Sequence, residues 1–296
     1  MTASARALLA SLIDYAGLFP PAGLSMAEAA AEYARWRRSP EAWMLGRFVL
    51  PAQRLDELAG ILTDVDPGHG GPDAPWPLSV LLGPDVAAGA GQVAAGAAAG
   101  GRARIDVVEL KGAAAGEIDA ALSALPAAVV AYVELETAGD PSPLLAVLRE
   151  RGARAKLRTG GVTPSAIPAP AEVARFITAC AAAGVPFKAT AGLHHALRAV
   201  RSLGYAPDAP RAVLHGFINV FGGAALLHGG AGAELEAVLS EEDPSAFRLD
   251  ADGLAWRQHR VSTLKLAECR ASLACSFGSC SFAEPVADLR ALGVIP

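Results

Sequence analysis

The segments RAKLRTGG (154–161) and VPFKATAGLHH (185–195) decide the predicted fold of this chain. Each is a short apolar segment that carries a lysine and leads into glycine. Between them, four residues recur at helical spacing: Val173, Phe176, Ile177 and Cys180. This pattern predicts a strand, a helix and a second strand joined by a right-handed crossover. Lys156 and Lys188 are therefore expected on neighbouring parallel strands.

Two lysines on adjacent strands would be crowded, because strands of a parallel sheet lie about 4.8 Å apart. Partly buried ammonium groups at that separation disfavour each other's charge. One amine of the pair is therefore expected to be neutral near pH 7. A neutral amine can attack a carbonyl group and form a Schiff base. The residues themselves leave open whether Lys156 or Lys188 is this nucleophile.

The composition is that of a large folded α/β protein. Of 296 residues, 52% are hydrophobic and 19% are charged, which is enough to bury a large core. A net charge of −5 without a basic stripe predicts no nucleic-acid partner, and no apolar segment of about 20 residues predicts a membrane span. The four cysteines lack C-x-x-C spacing and are expected to be reduced thiols. We predict a cytoplasmic protein whose partner is a small molecule.

Eight apolar segments alternate with helical segments over residues 1–228, which is the pattern of a (β/α)8 TIM barrel. The segment HHALRAVRSLG (194–204) is predicted to be the seventh helix, and VLHGFINVF (213–221) the eighth strand. Residues 229–296 are predicted to form a helical and irregular C-terminal extension packed on the barrel. An open doubly wound sheet is the alternative, but no strand leads directly into a G-x-G-x-x-G turn.

Polar residues gather at the predicted carboxyl ends of the strands, where active sites of such barrels lie. The set is Asp14, Arg47, Asp106, Glu109, Lys111, Glu134, Glu136, Lys156, Arg158, Thr159, Lys188, Thr190, His194, His195, His215 and Asn219. Burying a charged group on a strand costs free energy unless the group is paired or takes part in function. The set therefore predicts a functional site. Asp106 and Glu109 differ in parity, so a regular strand cannot point both inward and one of them is structural.

At these residues the chain resembles the deoxyribose-phosphate aldolase family of class I aldolases. The matching segments LIDYAGLFPPA, RIDVVELKGA, VELET, KLRTGG and KATAGL occur in the family's order over residues 11–192. The resemblance implies a carbon–carbon lyase that forms a Schiff base on Lys156. It implies that Lys188 lowers the pKa of that lysine, that Asp106 is the proton-transfer partner and that Asp14 is a supporting carboxylate. No cofactor and no metal are expected.

Several residues depart from the family pattern. Arg158 stands where the family has a small residue, and it could depress an amine pKa or bind a substrate carboxylate bidentately. The segment FGGA (221–224) replaces the family's hydroxyl residues that help to hold phosphate, so a small, non-phosphorylated carbonyl substrate is expected. The glycines that could still offer backbone amides to an anion at helix starts are Gly160, Gly161, Gly222 and Gly223. The other predicted substrate-binding residues are Thr159, Glu134, Glu136, Thr190, His194, His195 and Asn219.

A metal-assisted barrel enzyme is a second hypothesis. Its ligands would be His194, His195 or His215 together with Glu134 or Glu136, for hydrolysis or enolisation. No H-x-H or H-E-x-x-H motif supports it.

A third hypothesis is a barrel without catalytic activity that binds a ligand or a partner chain through its C-terminal tail. Phe277, Cys280 and Phe282 would form the interface patch, although packing of this tail against the barrel is the alternative role. Assembly into a homo-oligomer is compatible with each hypothesis. Cys280 as a nucleophile lacks a recognisable base nearby in the sequence.

Overall fold

The structure is a computed structural model that describes residues 1–67, 74–99, 101–232 and 234–296. The strands in chain order are β1 (Ile13–Tyr15), β2 (Leu45–Pro51), β3 (Trp76–Leu81), β4 (Ala103–Lys111), β5 (Val130–Leu135), β6 (Arg154–Arg158), β7 (Phe187–Thr190), β8 (Ala199–Ser202), β9 (Arg211–Leu214), β10 (Phe247–Leu249), β11 (Gly253–Trp256), β12 (His259–Ser262) and β13 (Ala274–Ser279). The helices are α1 (Ala3–Leu9), α2 (Met26–Arg37), α3 (Leu55–Val65), α4 (Val86–Ala99), α5 (Ala115–Ser123), α6 (Ser142–Glu150), α7 (Pro170–Ala183), α8 (Phe217–His228), α9 (Leu235–Ser240), α10 (Thr263–Ser272) and α11 (Ala283–Ala291).

The centre of the fold is a closed barrel of eight parallel strands. Strands β1 to β7 follow one another around the barrel, and β13 closes it between β7 and β1. Helices lie between successive barrel strands, so the predicted (β/α)8 fold is confirmed. Helix α2, for example, begins with a capping box in which Ser25 and Glu28 exchange side-chain and backbone hydrogen bonds, an arrangement that satisfies two donors of the first turn.

The unit β6–α7–β7 is the predicted strand, helix and strand. Helix α7 buries the face formed by Val173, Phe176, Ile177 and Cys180. Gly184 ends this helix with φ 66°, a left-handed conformation that glycine adopts without steric cost. Strands β6 and β7 then pair in parallel, with Lys156 directly beside Lys188. The helix and its C-terminal glycine thus fix the register that brings the two lysines together.

The predicted eighth strand was wrong. Residues 217–221 of that segment belong to helix α8, and the eighth barrel strand is β13. Gly222 and Gly223 therefore lie in the middle of α8, and they do not open a helix. The predicted seventh helix over 194–204 was also wrong, because β8 lies there and pairs with β9 in a hairpin.

The reason lies in how α8 is buried. Ten consecutive residues from Phe217 to Leu226 are buried, so the helix is apolar on every side and carries no polar stripe. Such a run cannot be distinguished from a buried strand by periodicity. In contrast, β13 reads ACSFGS and lacks the β-branched residues that mark strands.

The barrel consequently includes part of the stretch that was predicted as an extension. Strand β13 and helices α9 to α11 fall within 229–296, together with the antiparallel sheet β10–β11–β12. The predicted units 1–228 and 229–296 include residues 68–73, 100 and 233, which lie outside the described residues. Phe277 and Phe282 are completely buried. They pack inside the fold, so they do not form an exposed interface patch.

Within the described residues, no helix has the length and apolar character that are needed to cross a membrane.

Candidate active site

A cavity of about 420 Å³ lies at the carboxyl ends of the barrel strands. Its polar lining comes from β4, β6, β7, the β8–β9 hairpin and the residues after β13. These residues are Glu109, Lys156, Arg158, Thr190, His194, His195, Ser202, Tyr205, Cys280 and Glu284. A concave site that combines apolar walls with a few convergent polar groups is the usual form of a small-molecule site.

Six side chains of alternating charge cross the barrel interior, and we call them the charge row. In order they are Asp14, Lys188, Glu109, Lys156, Glu134 and Arg158. The nitrogen–oxygen distances between successive members are 2.7, 2.6, 2.9, 2.8 and 3.0 Å. Each carboxylate thus has a cation beside it, which is the condition under which charges tolerate burial.

The two lysines differ in how they are held. Lys188 is 1% exposed and donates well-directed hydrogen bonds to Asp14 and Glu109. Lys156 lines the cavity and forms ion pairs with Glu109 and Glu134. Glu134 Oε2 is buried with no hydrogen-bond partner among the described residues, so its contact with Lys156 is not a well-directed hydrogen bond. Lys156 is therefore both the more accessible and the less tightly bound amine.

Lys188 keeps its positive charge in spite of burial. Burial alone would lower the pKa of Lys188, but the attraction of Asp14 and Glu109 outweighs burial and raises the pKa above its ordinary value. The reason is that a carboxylate stands between the two amines: Glu109 Oε1 contacts Lys188 and Oε2 contacts Lys156. Lys188 is thus held as a cation and cannot be the free amine.

The carboxylates of the row are kept ionised by the same contacts. Burial would raise the pKa of Glu109, yet Lys188 and Lys156 lower it well below its usual range. Burial would likewise raise the pKa of Glu134, and the cations Lys156 and Arg158 lower it instead. Both groups are therefore held as anions beside Lys156.

Asp106 does not lie beside either lysine in the described contacts. It pairs with Arg104 at 2.5 Å and lies 3.8 Å from Arg47. The register between β3 and β4 slips at this point, since Leu78 pairs with Ile105 but Ser79 pairs with Val107. The extra residue of this bulge is Asp106, and the pairing is regular again from Val107 to Glu109. Glu109 is instead the carboxylate of β4 that contacts both Lys156 and Lys188.

Asp14 is completely buried at the start of the row. Its oxygens accept hydrogen bonds from Lys188, from the Ser276 hydroxyl at 2.9 Å and from the Arg47 backbone amide at 2.8 Å. Gly46 leaves room for this carboxylate, because a Cβ there would lie 2.4 Å from Asp14 Oδ1. The role of Asp14 as a supporting carboxylate, which the resemblance implies, stays a prediction.

The ends of β6 and β7 are packed closely together. Thr159 is buried and its hydroxyl donates to the Ala191 carbonyl at 2.6 Å. Gly160 lies against Gly192, so that a Cβ on Gly160 would be 3.0 Å from the Gly192 Cα. Gly161 and Thr190 line the cavity. Neither Gly160 nor Gly161 opens a helix, since α7 begins at Pro170.

Three other predicted substrate-binding residues lie in α8, away from the cavity lining. Asn219 is buried and donates to the carbonyls of Val238 and Glu241, which is a structural role. Gly222 packs against Leu254, and Gly223 packs against a neighbouring helix. Their small size allows this packing, and they offer no surface to an anion. Glu136 lies just beyond β5 and is exposed.

A second group of side chains lines the cavity, and we call it the mouth cluster: His194, Tyr205, Cys280 and Glu284. The Cys280 sulfur lies 3.8 Å from His194 Nδ1 and 3.8 Å from the Tyr205 hydroxyl. Burial and the neighbouring His195 lower the pKa of His194 to about 4, and burial raises the pKa of Cys280 to about 11. The pair is therefore a neutral thiol and a neutral imidazole, which is not the state of an activated cysteine nucleophile.

His195 and His215, the other histidines of the metal hypothesis, contact groups other than its glutamates. His195 contacts Asp288 at 3.1 Å, and His215 is buried against the Pro168 carbonyl. In the part of the chain that the structure describes, no group of three or more His, Cys, Asp or Glu residues is arranged to hold a metal ion. The histidines and glutamates named in the metal hypothesis therefore do not form one metal site.

The sequence does not reveal that the residues of the mouth cluster lie together, because Tyr205 belongs to the hairpin, while Cys280 and Glu284 follow β13. No short-range motif links them.

Comparison with protein-family models gives no match for this chain, and comparison with curated proteins gives none either.

Proposed function

We propose that this chain is an aldolase-like carbon–carbon lyase that binds a small carbonyl compound as an imine on Lys156. The observation that carries the proposal is the position of this amine, which lines the cavity while lying 2.9 Å from Glu109 and 2.8 Å from Glu134. The barrel is a fold that commonly hosts enzymes. The reaction itself is inferred from the chemistry of these groups.

Imine formation suits the charge balance around Lys156. The ammonium gives a proton to Glu109 or Glu134, the nitrogen bonds to the carbonyl carbon, and the carbonyl oxygen takes up a proton to give a carbinolamine. Loss of water then leaves an iminium ion. Overall, an ammonium and a carbonyl give an iminium and one water, so the positive charge between the two carboxylates is the same before and after. The site can therefore stabilise the iminium without rearranging its charges.

Cleavage would follow from the electron demand of the iminium. The bond between the α and β carbons, counted from the iminium carbon, breaks; its electrons form the double bond of a neutral enamine, while the hydroxyl on the β carbon loses its proton and that carbon becomes a carbonyl. Glu109 is the group placed to exchange that proton. Lys188 does not react; it keeps Glu109 ionised through its 2.6 Å contact. The enamine then takes up a proton, and water releases the product.

Borohydride trapping tests the proposal. The protein is incubated with acetaldehyde and, separately, with pyruvate, each with sodium borohydride, and the reduced adduct is located by peptide mass mapping. We expect the adduct on Lys156 and its loss in Lys156→Arg. Lys265→Gln is the matched control, since that lysine is 52% exposed and paired only with Glu268 among the described residues, and it should label as the native chain does. No adduct, or an adduct on another lysine, would overturn the assignment.

A further inference from the structure

We propose that the cavity binds the carboxylate of its substrate through Arg158, so that the substrate class is a short oxo acid. The arginine lines the cavity beside Lys156 and is 42% exposed. Its Nε donates to Glu134 Oε1 at 3.0 Å. The structure gives the terminal Nη atoms no hydrogen bond within the described residues, so this edge of the guanidinium remains available to a ligand. Such an edge matches the two oxygens of a carboxylate.

The local charge favours an anion at this end of the row. Three cations already match the three carboxylates of the charge row one for one. Lys111, at the end of β4, adds a further positive charge 4.0 Å from Glu134 Oε1, with 79% of its side chain exposed. Arg158 and Lys111 therefore both lie beside Glu134 Oε1, and of these two it is Arg158 that lines the cavity. In the mouth cluster, Tyr205 donates to Glu284 at 3.4 Å, and burial raises the pKa of Glu284 above its usual value.

The spacing of the groups suggests where the carbonyl lies. Lys156 and Arg158 contact the two oxygens of one carboxylate, that of Glu134, so their nitrogens lie within a few ångströms of each other. A carboxylate on Arg158 would place a carbonyl one or two carbons away close to Lys156. The apolar lining of the cavity, which includes Phe19, Leu81 and Leu214, leaves space for the rest of the substrate. The oxo group rests on the proposed function, whereas the anion site does not.

A carboxylate fits the site better than a phosphate does. Phosphate sites typically use several backbone amides at a helix start. The first amides of α8 are already occupied, since Phe217 donates to the His195 carbonyl and Ile218 to the Ala196 carbonyl. Helix α7 begins with a proline, which has no amide hydrogen, and its cap amide at Ala169 is bound by Glu172. The Arg158 fork offers two parallel donors on one edge, which match the two oxygens of a carboxylate.

The first arm of the test measures anion binding without imine chemistry. Binding of propionate and of its uncharged counterpart propionamide is followed by saturation-transfer NMR with the native chain, Arg158→Gln and Arg158→Lys. We expect propionate to bind more tightly than propionamide, and Arg158→Gln to weaken propionate about 10- to 100-fold. Arg158→Lys should restore only part of the affinity, because lysine lacks the fork. Arg248→Gln, an exposed arginine that pairs with Asp250, is the matched control and should change nothing.

The second arm separates this inference from the proposed function. Borohydride trapping compares pyruvate with methyl pyruvate, which keeps the ketone and loses the charge. Faster trapping of pyruvate that is selectively lost in Arg158→Gln supports both proposals. Equal trapping of the two probes, equal binding of propionate and propionamide, or tighter binding of inorganic phosphate than of propionate would overturn the anion site. Arginine-dependent propionate binding without any trapping would overturn the imine alone.

Discussion

Replacing Lys188 by methionine removes a cation that lies between two buried carboxylates. The lysine nitrogen is 2.7 Å from Asp14 and 2.6 Å from Glu109, and all three side chains are almost completely buried. Methionine fills the space with an uncharged, flexible chain. Removing one member of a buried ion pair typically costs about 3–5 kcal/mol. We expect Lys188→Met to lower the free energy of unfolding by this amount at pH 7.

The loss should depend on pH through Glu109. In the native chain the pKa of Glu109 is lowered, so its stabilising contribution is present above the unfolded-state pKa of about 4.3 and is lost as the pH falls toward the folded-state value. Without Lys188, Lys156 and the Ser79 hydroxyl remain to oppose burial, and the pKa of Glu109 moves upward. The variant then gains less stability than the native chain as the pH rises. The difference between the two proteins should therefore shrink as the pH is lowered from 7 toward 4.

Urea unfolding of both proteins between pH 4 and pH 8, followed by circular dichroism, measures this difference. Lys265→Met is the control, because the pair with Glu268 is exposed on both sides and should change stability by no more than about 0.5 kcal/mol. A loss below about 1 kcal/mol for Lys188→Met at pH 7 would refute the reasoning. So would a loss of equal size at pH 7 and pH 4, since ionised carboxylates would then not be the cause.

Three further outcomes follow from the contacts of the site. Glu109→Gln should slow borohydride labelling of Lys156 at least about 100-fold, whereas Asp106→Asn should leave the labelling rate within about threefold; equal effects would contradict the assignment of Glu109. Asn219→Ala should cost about 3 kcal/mol in urea unfolding, because it leaves buried backbone groups unpaired, and a cost below about 1 kcal/mol would count against this. The ring signals of His194 in NMR should stay constant from pH 8 to pH 5.5 and shift near pH 4; a midpoint near pH 6.5 would disagree.

The alternation of apolar and helical segments was enough to predict the barrel, and the spacing around Lys156 and Lys188 was enough to place them side by side. These features depend on local periodicity and on the register of one strand pair. The eighth strand, β13, is not marked by either kind of signal in the sequence. Helix α8 is buried on all sides, and β13 is recognisable only through its pairing with β1 and β7.

The candidate site was predicted only in part, because several of its contacts join residues that are remote in the chain. Parity along β4 separates Asp106 from Glu109 but does not tell which of the two faces inward, so the contacts of Glu109 with both lysines were not foreseen. The charge of Lys188 depends on carboxylates from β1 and β4, which are remote in the chain. The assembly of Tyr205, Cys280 and Glu284 likewise requires the hairpin and the last strand to be in place.

Closure of the barrel by β13 has a consequence for the order in which the chain can fold during synthesis. Ser276 and Asp14, which meet at this seam, are 262 positions apart. Until β13 leaves the ribosome, β1 and β7 remain as unpaired sheet edges, which can associate with other chains. Asp14 also lacks its Ser276 donor until then. Completion of the sheet and shielding of the site's innermost carboxylate therefore occur in the same late event.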